Sequence, residues 1–254
     1  FRPNALARGL SSVETKIIGL MVSDIRNPFY ATMAVECEKE ANKNGYLLML
    51  CNSLGSNEME VSYLEKFSGQ RVDAIIQIGG KVDELVSDTR YVENINRIAN
   101  TTPVLITGKL DGADCYQVNL DEGQSMELMM QFLIENGHRD IALIGGRDNV
   151  KSTLDKRLRY RQILRKYGIP VREEYIVDGI SYDIESGNAA MYHFIREDHP
   201  MPSAIIAIND FTAVGIVRAL REQGYSIPDD ISVVSFDNTY IAETCMPRLT
   251  CVGY

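Results

Sequence analysis

Short, nearly continuous apolar runs recur along the chain, with longer amphipathic segments between them. The runs lack the polar–apolar alternation of a half-exposed strand, which indicates strands buried on both faces. Such strands are typical of a parallel sheet, because its helical crossovers cover both faces. Seven runs have this pattern: 17–22, 47–50, 74–78, 104–106, 141–144, 204–208 and 231–236.

The segments between the runs have helical periodicity. In 210–223 the apolar residues follow positions i, i+1, i+4 and i+7, and Gly224 ends the predicted helix. Segments 126–136 and 158–167 repeat this pattern, and each is followed by a glycine. The repeated strand–helix–strand order predicts a doubly wound α/β fold with parallel sheets. More than six strands in 254 residues favour two such lobes.

Composition narrows the class of protein. Hydrophobic residues make up 45% and charged residues 24%, as in soluble globular proteins, and no apolar run approaches the ~20 residues that span a bilayer. A net charge of −9 argues against a nucleic-acid surface on the body of the chain. Five cysteines without Cys-x-x-Cys spacing predict free thiols in the cytoplasm, and three histidines without ligand spacing predict no metal site.

Polar residues follow every predicted strand. In open α/β sheets ligands bind beyond the carboxyl ends of the strands, so two lobes that face each other would bring these groups to one cleft. Asp and Asn offer both acceptors and donors to a polyhydroxylated ligand, and Phe29 and Tyr30 offer an apolar face to a sugar or a base. The polar strand ends are 23–24, 52–53, 79–80, 107–108, 145–146, 209–210 and 237–238.

Each of these residues also has a structural interpretation. Asp and Asn after a strand are common turn formers and helix N-caps, and aromatic residues there pack against the next helix. Lys156 and Arg157 either meet a ligand's carboxylate or hydroxyls or belong to a solvated helix face. A further alternative is that two of the carboxylates Asp24, Asp121 and Asp237 form the catalytic pair of a glycosidase. No Gly-x-Gly-x-x-Gly or Gly-x-Ser-x-Gly motif is present, so we predict no catalytic residues and no cofactor.

The chain opens on Phe-Arg-Pro-Asn-Ala-Leu-Ala-Arg-Gly-Leu, a run of helix formers that Gly9 ends. About two turns of helix are marginal in water by themselves, so this segment needs a partner to order it.

The sequence resembles the LacI/GalR family of bacterial transcription regulators from Phe1 to Tyr254. Each motif is weak alone, but their order and spacing together are specific. The motifs that carry the resemblance are 2–8 (RPNALAR), 24–30 (DIRNPFY), 136–146 (NGHRDIALIGG), 207–210 (AIND), 227–234 (IPDDISVV), 236–237 (FD) and 247–250 (PRLT).

The resemblance implies a periplasmic-binding-protein-like core with two Rossmann-like lobes, a homodimer, and a small-molecule effector in the interlobe cleft. The implied boundaries are 1–13 for a hinge helix and linker, 14–138 and 139–247 for the lobes, and 248–254 for a crossover back toward the N-terminal lobe. The effector-binding residues expected from the strand ends and the resemblance together are Asp24, Asn27, Phe29, Tyr30, Thr107, Asp121, Lys156, Arg157, Asn209 and Asp237.

The resemblance also implies that the opening segment contacts operator DNA. In that family a pair of hinge helices enters the minor groove, and a Leu wedges between base steps. Leu10 matches the wedge, and Asn4, Ala7 and Arg8 match groove-facing positions. We expect this segment to be at least partly disordered without DNA.

Three departures from the family pattern affect what the resemblance implies. No helix-turn-helix headpiece precedes Phe1, and the family's helix and strands that rejoin the lobes after Tyr254 are absent. The family also has an Arg four residues before the aromatic that Tyr160 matches, whereas this chain has Lys156 followed by Arg157. Arg binds a carboxylate bidentately and Lys does not, so effector chemistry does not transfer from that Arg.

The interpretation that these observations favour is a ligand sensor. A small polar effector, a sugar or sugar derivative, would bind one state better than another and so change operator affinity. The alternatives are a periplasmic-type solute-binding protein and an enzyme acting on sugars or sugar phosphates. Segment 1–10, the five free cysteines and the lack of an export signal favour the regulator.

Overall fold

The computed structural model describes residues 14–253, and they form two compact units. The first comprises the described residues up to Arg26 together with Tyr30–Leu120, and the second comprises Asn27–Phe29 and the residues from Asp121 onward. The predicted hinge contacts Asn4, Ala7, Arg8 and Leu10 lie outside the described residues.

The first unit is a five-stranded parallel sheet with strand order β2-β1-β3-β4-β5. Because the chain passes from β2 across β1 to β3, the topological switch point lies between β1 and β3. The strands are β1 (Ile17–Val22), β2 (Leu47–Asn52), β3 (Ala74–Ile78), β4 (Val104–Thr107) and β5 (Tyr116–Val118). The helices are α1 (Pro28–Lys43), α2 (Asn57–Gly69) and α3 (Thr89–Ala99), with a 3₁₀ turn at Gly80–Asp83.

The second unit repeats this topology with strand order β10-β9-β8-β6-β7, also all parallel. Its switch point therefore lies between β6 and β8. The strands are β6 (Ile141–Ile144), β7 (Ile176–Val177), β8 (Ala204–Ala207), β9 (Ser232–Asp237) and β10 (Thr250–Gly253). The helices are α4 (Glu122–Glu135), α5 (Lys151–Lys166), α6 (Ile184–Arg196), α7 (Asp210–Glu222) and α8 (Tyr240–Thr244), with a 3₁₀ turn at Glu173–Tyr175.

Buried side chains pack on both faces of the second sheet. One cluster joins α6 and α7 to the sheet through residues such as Phe194 and Ile216, and the other joins α4 and α5 through Met130 and Tyr160. A third cluster, which includes Phe67, packs α2 and α3 on the first sheet. These layers confirm the predicted α/β fold with strands that helices cover.

The seven predicted strands are confirmed, and three further strands were missed. β5, β7 and β10 are outer strands of two to four residues, and they carry half-buried or exposed side chains instead of a buried apolar run. The helix predicted at 158–167 begins earlier, at Lys151. The prediction missed its first two turns because their many charged residues mask the apolar period.

The unit boundary differs from the predicted one. We predicted lobes of 14–138 and 139–247, but the contacts divide the chain between Leu120 and Asp121. The reason is that α4 buries its Met-rich face against α5 and the second sheet. The stretch predicted as a crossover, 248–254, contains β10, which pairs with β9 in the second sheet.

Candidate ligand-binding site

The loop after β6 passes close to α7 at the switch point of the second unit. Gly145 and Gly146 both have left-handed backbone, with φ of 100° and 79°. A Cβ on Gly145 would lie 2.9 Å from the Thr212 methyl group, and one on Gly146 would lie 2.7 Å from the Thr153 hydroxyl. Glycine is therefore required twice here, for its conformation and for the close approach.

Arg157 fixes this loop from α5. Its guanidinium donates to the carbonyl oxygens of Gly145 (3.1 Å) and Gly146 (3.3 Å), and it forms an ion pair with Asp178 at 2.6 Å, just after β7. The Arg157 side chain is buried, whereas that of Asp178 is 66% exposed. Arg157 was predicted to bind the effector, and in the structure its Nη1 and Nη2 atoms bind groups of the protein that follow β6 and β7, whereas its buried Nε has no hydrogen-bond partner among the described residues.

Lys156, the residue before it, forms an ion pair with Glu122 in the first turn of α4. Both side chains are buried, with 6% and 11% of their surface exposed. The ammonium also lies 5.0 Å from the centroid of the Phe236 ring, at cation–π distance. Lys156 was predicted as a site residue, but Glu122 was not, because nothing in the sequence links two residues 34 positions apart.

Asp237 ends β9 in a left-handed conformation, with φ of 97°, and Asn238 follows it with φ of 54°. Burial raises the pKa of Asp237 to about 7, the nearby Lys156 ammonium lowers it, and the carboxylates of Asp210 and Glu122 raise it. A non-glycine residue in this conformation is uncommon and is often found at functional sites. The left-handed backbone therefore makes Asp237 a candidate functional residue.

Asn209 and Asp210 follow β8 and begin α7. The Asn209 side chain caps the helix by accepting from the Thr212 amide at 2.8 Å, and it donates to the Tyr182 carbonyl at 3.1 Å. The buried Asp210 carboxylate accepts from the Ser235 hydroxyl and from the amide and hydroxyl of Thr239. Asn209 therefore caps α7, and Asp210 joins the first turn of α7 to β9 and to the loop that follows it.

Asp121 also caps a helix. Its side chain accepts from the Gln124 amide at 2.8 Å and begins α4, so the following Glu122 enters the first helical turn. The helix dipole favours carboxylates at both positions. Asp121 is exposed, and in α4 it is Glu122 that contacts Lys156.

Further predicted site residues follow the carboxyl ends of β1 and β4; Asp24 and Thr107 belong to the first unit, whereas Asn27 and Phe29 belong to the second. Asp24 accepts from the Arg26 guanidinium at 2.7 Å, and this side-chain hydrogen bond holds the pKa of Asp24 below its usual value. Asn27 is buried, and its side chain accepts from the Phe29 amide at 3.0 Å at the start of α1. Thr107 ends β4 and is half-buried.

Tyr30 lies against the glycine turn after β3. A Cβ on Gly79 would lie 2.5 Å from the Tyr30 hydroxyl, and one on Gly80 would lie 1.9 Å from a carboxylate oxygen of Glu60. The two glycines, with φ of 75° and 76°, therefore admit both side chains to the end of β3, at the switch point.

Glu60 is a buried carboxylate that the sequence analysis missed. It accepts from the Lys81 amide (3.1 Å) and from the Gln77 side chain (3.0 Å), and the Tyr91 hydroxyl donates to Gln77 at 2.7 Å. Burial raises the pKa of Glu60. One signal was available, because Glu60 shares the buried face of α2 with Leu64 and Phe67 at helical spacing.

Residues 14–253 were also considered for metal sites and membrane-spanning helices. Within that range no three His, Cys, Asp or Glu side chains are grouped in a way that could hold a metal ion. None of the described helices combines the length and the apolar character that crossing a membrane requires.

Comparison with known proteins identifies the class. Residues 130–254 match the periplasmic binding protein-like domain. The chain is 33% identical to catabolite control protein A of Priestia megaterium and 32% identical to the HTH-type transcriptional repressor PurR of Actinobacillus pleuropneumoniae. Each alignment covers 99% of this chain, with 74% and 73% of the respective relative.

A solved structure supports the same assignment. The transcription regulator CcpA of Lactococcus lactis superimposes with a TM-score of 0.79 at 25% identity, over 94% of this chain and 84% of that one. The fold and the polar strand ends define a ligand-binding core, and the relatives show that it is the core of a transcription regulator. The chain belongs to the LacI/GalR family, as its motifs indicated. The relatives named here are regulators, so the regulator interpretation holds over a transport protein.

Proposed function

We propose that this regulator core senses a small, hydroxyl-rich ligand, a sugar or a sugar derivative, and that the ligand alters affinity for operator DNA. The observation that carries the proposal is the convergence of Lys156, Arg157 and Asp237 at the switch point end of the second sheet. Lys156 and Arg157 are buried charged residues of α5, and Asp237 ends β9. Carboxylate and amide groups at strand ends suit the hydroxyls of a sugar.

Within this site the Asp237 carboxylate is the proposed ligand acceptor. Asn209, by contrast, uses both ends of its amide within the protein. In the first unit, the aromatic ring of Tyr30 beside Gly79 is the proposed apolar surface for a sugar ring, with Asp24 and Thr107 at strand ends of the same sheet. Asn27 and Phe29, which belong to the second unit, are proposed as further ligand contacts.

Ligand-dependent stabilisation tests the proposal. A panel of neutral sugars, sugar phosphates and purines is screened with the purified chain by thermal unfolding. A ligand at 100 times its Kd stabilises the folded state by about 2.7 kcal/mol. Asp237→Ala should abolish that shift, whereas Asp229→Ala, an exposed Asp in a turn, should retain it. A full shift in Asp237→Ala removes Asp237 from the site, and ligand turnover would revive the enzyme alternative.

We also propose that the protein is a homodimer. In the first unit the outer strand β2 exposes Leu47 and Leu50, with 66% and 45% of their surface accessible, and Val35 of α1 is exposed as well. In the second unit a groove of about 420 Å³ between α7 and α8 is lined by Val217, Ile241 and Met246, among others. Apolar residues on an outer strand are a typical subunit contact, because a bare strand edge otherwise invites nonspecific pairing.

Operator binding is assigned to segment 1–13 by the family resemblance, with Leu10 as the wedge and Asn4, Ala7 and Arg8 as groove contacts. The acidic net charge of −9 favours confining DNA contact to that basic segment and a headpiece. A regulator acts where the DNA lies, so we place the protein in the cytoplasm.

A further inference from the structure

We infer that Glu122 makes the strand-end site of the second unit selective against anionic ligands, by neutralising Lys156 from the first turn of α4. This inference rests on the proposed function, since it concerns the ligand of that same site. It narrows the ligand to an uncharged polyol, or one bearing an amine, and excludes phosphorylated and carboxylated forms.

Five charged side chains determine the net charge of this site. Two are cationic, Lys156 and Arg157, and each is held by a carboxylate of the protein, Glu122 and Asp178 respectively. The fifth is the Asp237 carboxylate, close enough to Lys156 and Glu122 for each to influence its charge. These five groups together therefore carry no excess positive charge with which to bind an anion.

The ion pair between Lys156 and Glu122 is buried. The Lys156 and Glu122 side chains are almost completely removed from solvent, so their attraction is weakly screened. An anionic ligand that competed for Lys156 would have to displace Glu122 and leave a carboxylate buried without its cation, which is strongly unfavourable. Neutral hydroxyls need no such exchange, because they hydrogen-bond to the paired groups as they stand.

The local sequence explains why Glu122 occupies this position. Asp121 caps α4, so the next residue is the first one inside the helix, where the helix dipole stabilises a carboxylate. Lys156 presents a compact ammonium with one positive charge, and one carboxylate balances that charge. The lysine at this position and the glutamate that faces it thus form one specificity device.

The test uses inorganic phosphate as the probe anion and isothermal titration as the measurement. Glu122→Gln should bind phosphate at least tenfold more tightly than the unsubstituted protein, and adding Lys156→Gln should abolish that gain. Glu127→Gln is the matched control, since Glu127 lies on the same helix and pairs with Arg159 and Lys166 instead. Unchanged phosphate affinity in folded Glu122→Gln, or an equal gain in Glu127→Gln, overturns the inference.

A second measurement needs no substitution and covers the case in which Glu122→Gln does not fold. The unsubstituted protein is screened with glucose, glucosamine, glucose 6-phosphate and gluconate, and thermal stabilisation by either anion above that by glucose overturns the inference. Equal or smaller shifts from the anions, together with no phosphate binding, support it. If none of the four ligands binds while Glu122→Gln gains phosphate affinity, the selectivity inference stands and the sugar proposal fails.

Discussion

Asp210 and Thr239 are bound to each other twice: the Asp210 carboxylate accepts from the Thr239 amide at 2.7 Å and from its hydroxyl at 3.0 Å. Through this contact the first turn of α7 holds the loop that follows β9, directly after Asp237 and Asn238. The carboxylate is buried and also accepts from the Ser235 hydroxyl, so a structural carboxylate supports the loop of the proposed ligand acceptor.

Asp210→Ala should therefore destabilise the protein. It leaves a buried amide and two buried hydroxyls without their acceptor, and losses of this kind cost about 1–3 kcal/mol per unsatisfied group. We expect the free energy of unfolding, measured with urea, to fall by about 3 kcal/mol. Asp229→Ala, at an exposed position, should change it by less than about 0.5 kcal/mol. Equal stability of the two variants would show that the Asp210 contacts are replaced by water.

Asp237→Asn should alter the pH dependence of stability. The pKa of Asp237 is about 7 in the folded protein, against about 3.9 for an unfolded Asp. Between these values the folded state binds more protons than the unfolded state, so rising pH lowers the wild-type stability. The asparagine variant lacks this loss and tolerates left-handed backbone. Measured by urea unfolding, the free energy of unfolding of the variant minus that of wild type should rise from about pH 4 to pH 7 and then level off. If this difference does not change with pH, the raised pKa of Asp237 is wrong.

Gly80→Ala should destabilise the first unit more than Gly45→Ala. The two glycines have nearly equal φ, 76° and 78°, so the conformational cost of about 1–2 kcal/mol is common to both. Only at Gly80 does the added Cβ meet a group, the Glu60 carboxylate at 1.9 Å. We expect an additional loss of about 1–3 kcal/mol in urea unfolding, by the overpacking range. Combining Gly80→Ala with Glu60→Ala should reduce this additional loss of stability. An equal loss at the two glycines would show that the Glu60 side chain moves aside at no cost.

Leu47→Lys should convert the proposed homodimer to a monomer. Leu47 lies on the outer strand β2 with 66% of its surface exposed, so a charge there is tolerated in the monomer but opposes pairing across that edge. Light scattering after gel filtration measures the mass directly. Leu158→Lys, at an exposed leucine of α5, is the matched substitution and should leave the mass unchanged. If Leu47→Lys remains a dimer, the β2 edge is not the subunit contact, and the groove between α7 and α8 is the next surface to test.

The core strands and the fold class were predictable because their signal is local. Ile141–Ile144 and Ala204–Ala207 are fully buried, and a strand that is buried on both faces has a nearly continuous apolar sequence. The three missed outer strands carried no such signal: Tyr116 and Val118 of β5 are exposed, β7 is only two residues long, and both ends of β10 are exposed. The beginning of α5 was missed for a related reason: its first turns bury Lys156 and Arg157, charged residues that periodicity assigns to solvent.

The sequence by itself determined the fold class, the family and the strand ends that carry polar groups, because buried apolar periods and ordered motifs are properties of neighbouring residues. The tertiary structure decided which charges meet. Lys156 pairs with Glu122 rather than with the adjacent Asp121, because the N-cap position directs Asp121 to its own helix and carries Glu122 into the first turn. Arg157 likewise holds the carbonyl groups of a distant loop. Electrostatic partners depend on distances of a few ångströms between segments far apart in sequence, and only packing sets those distances.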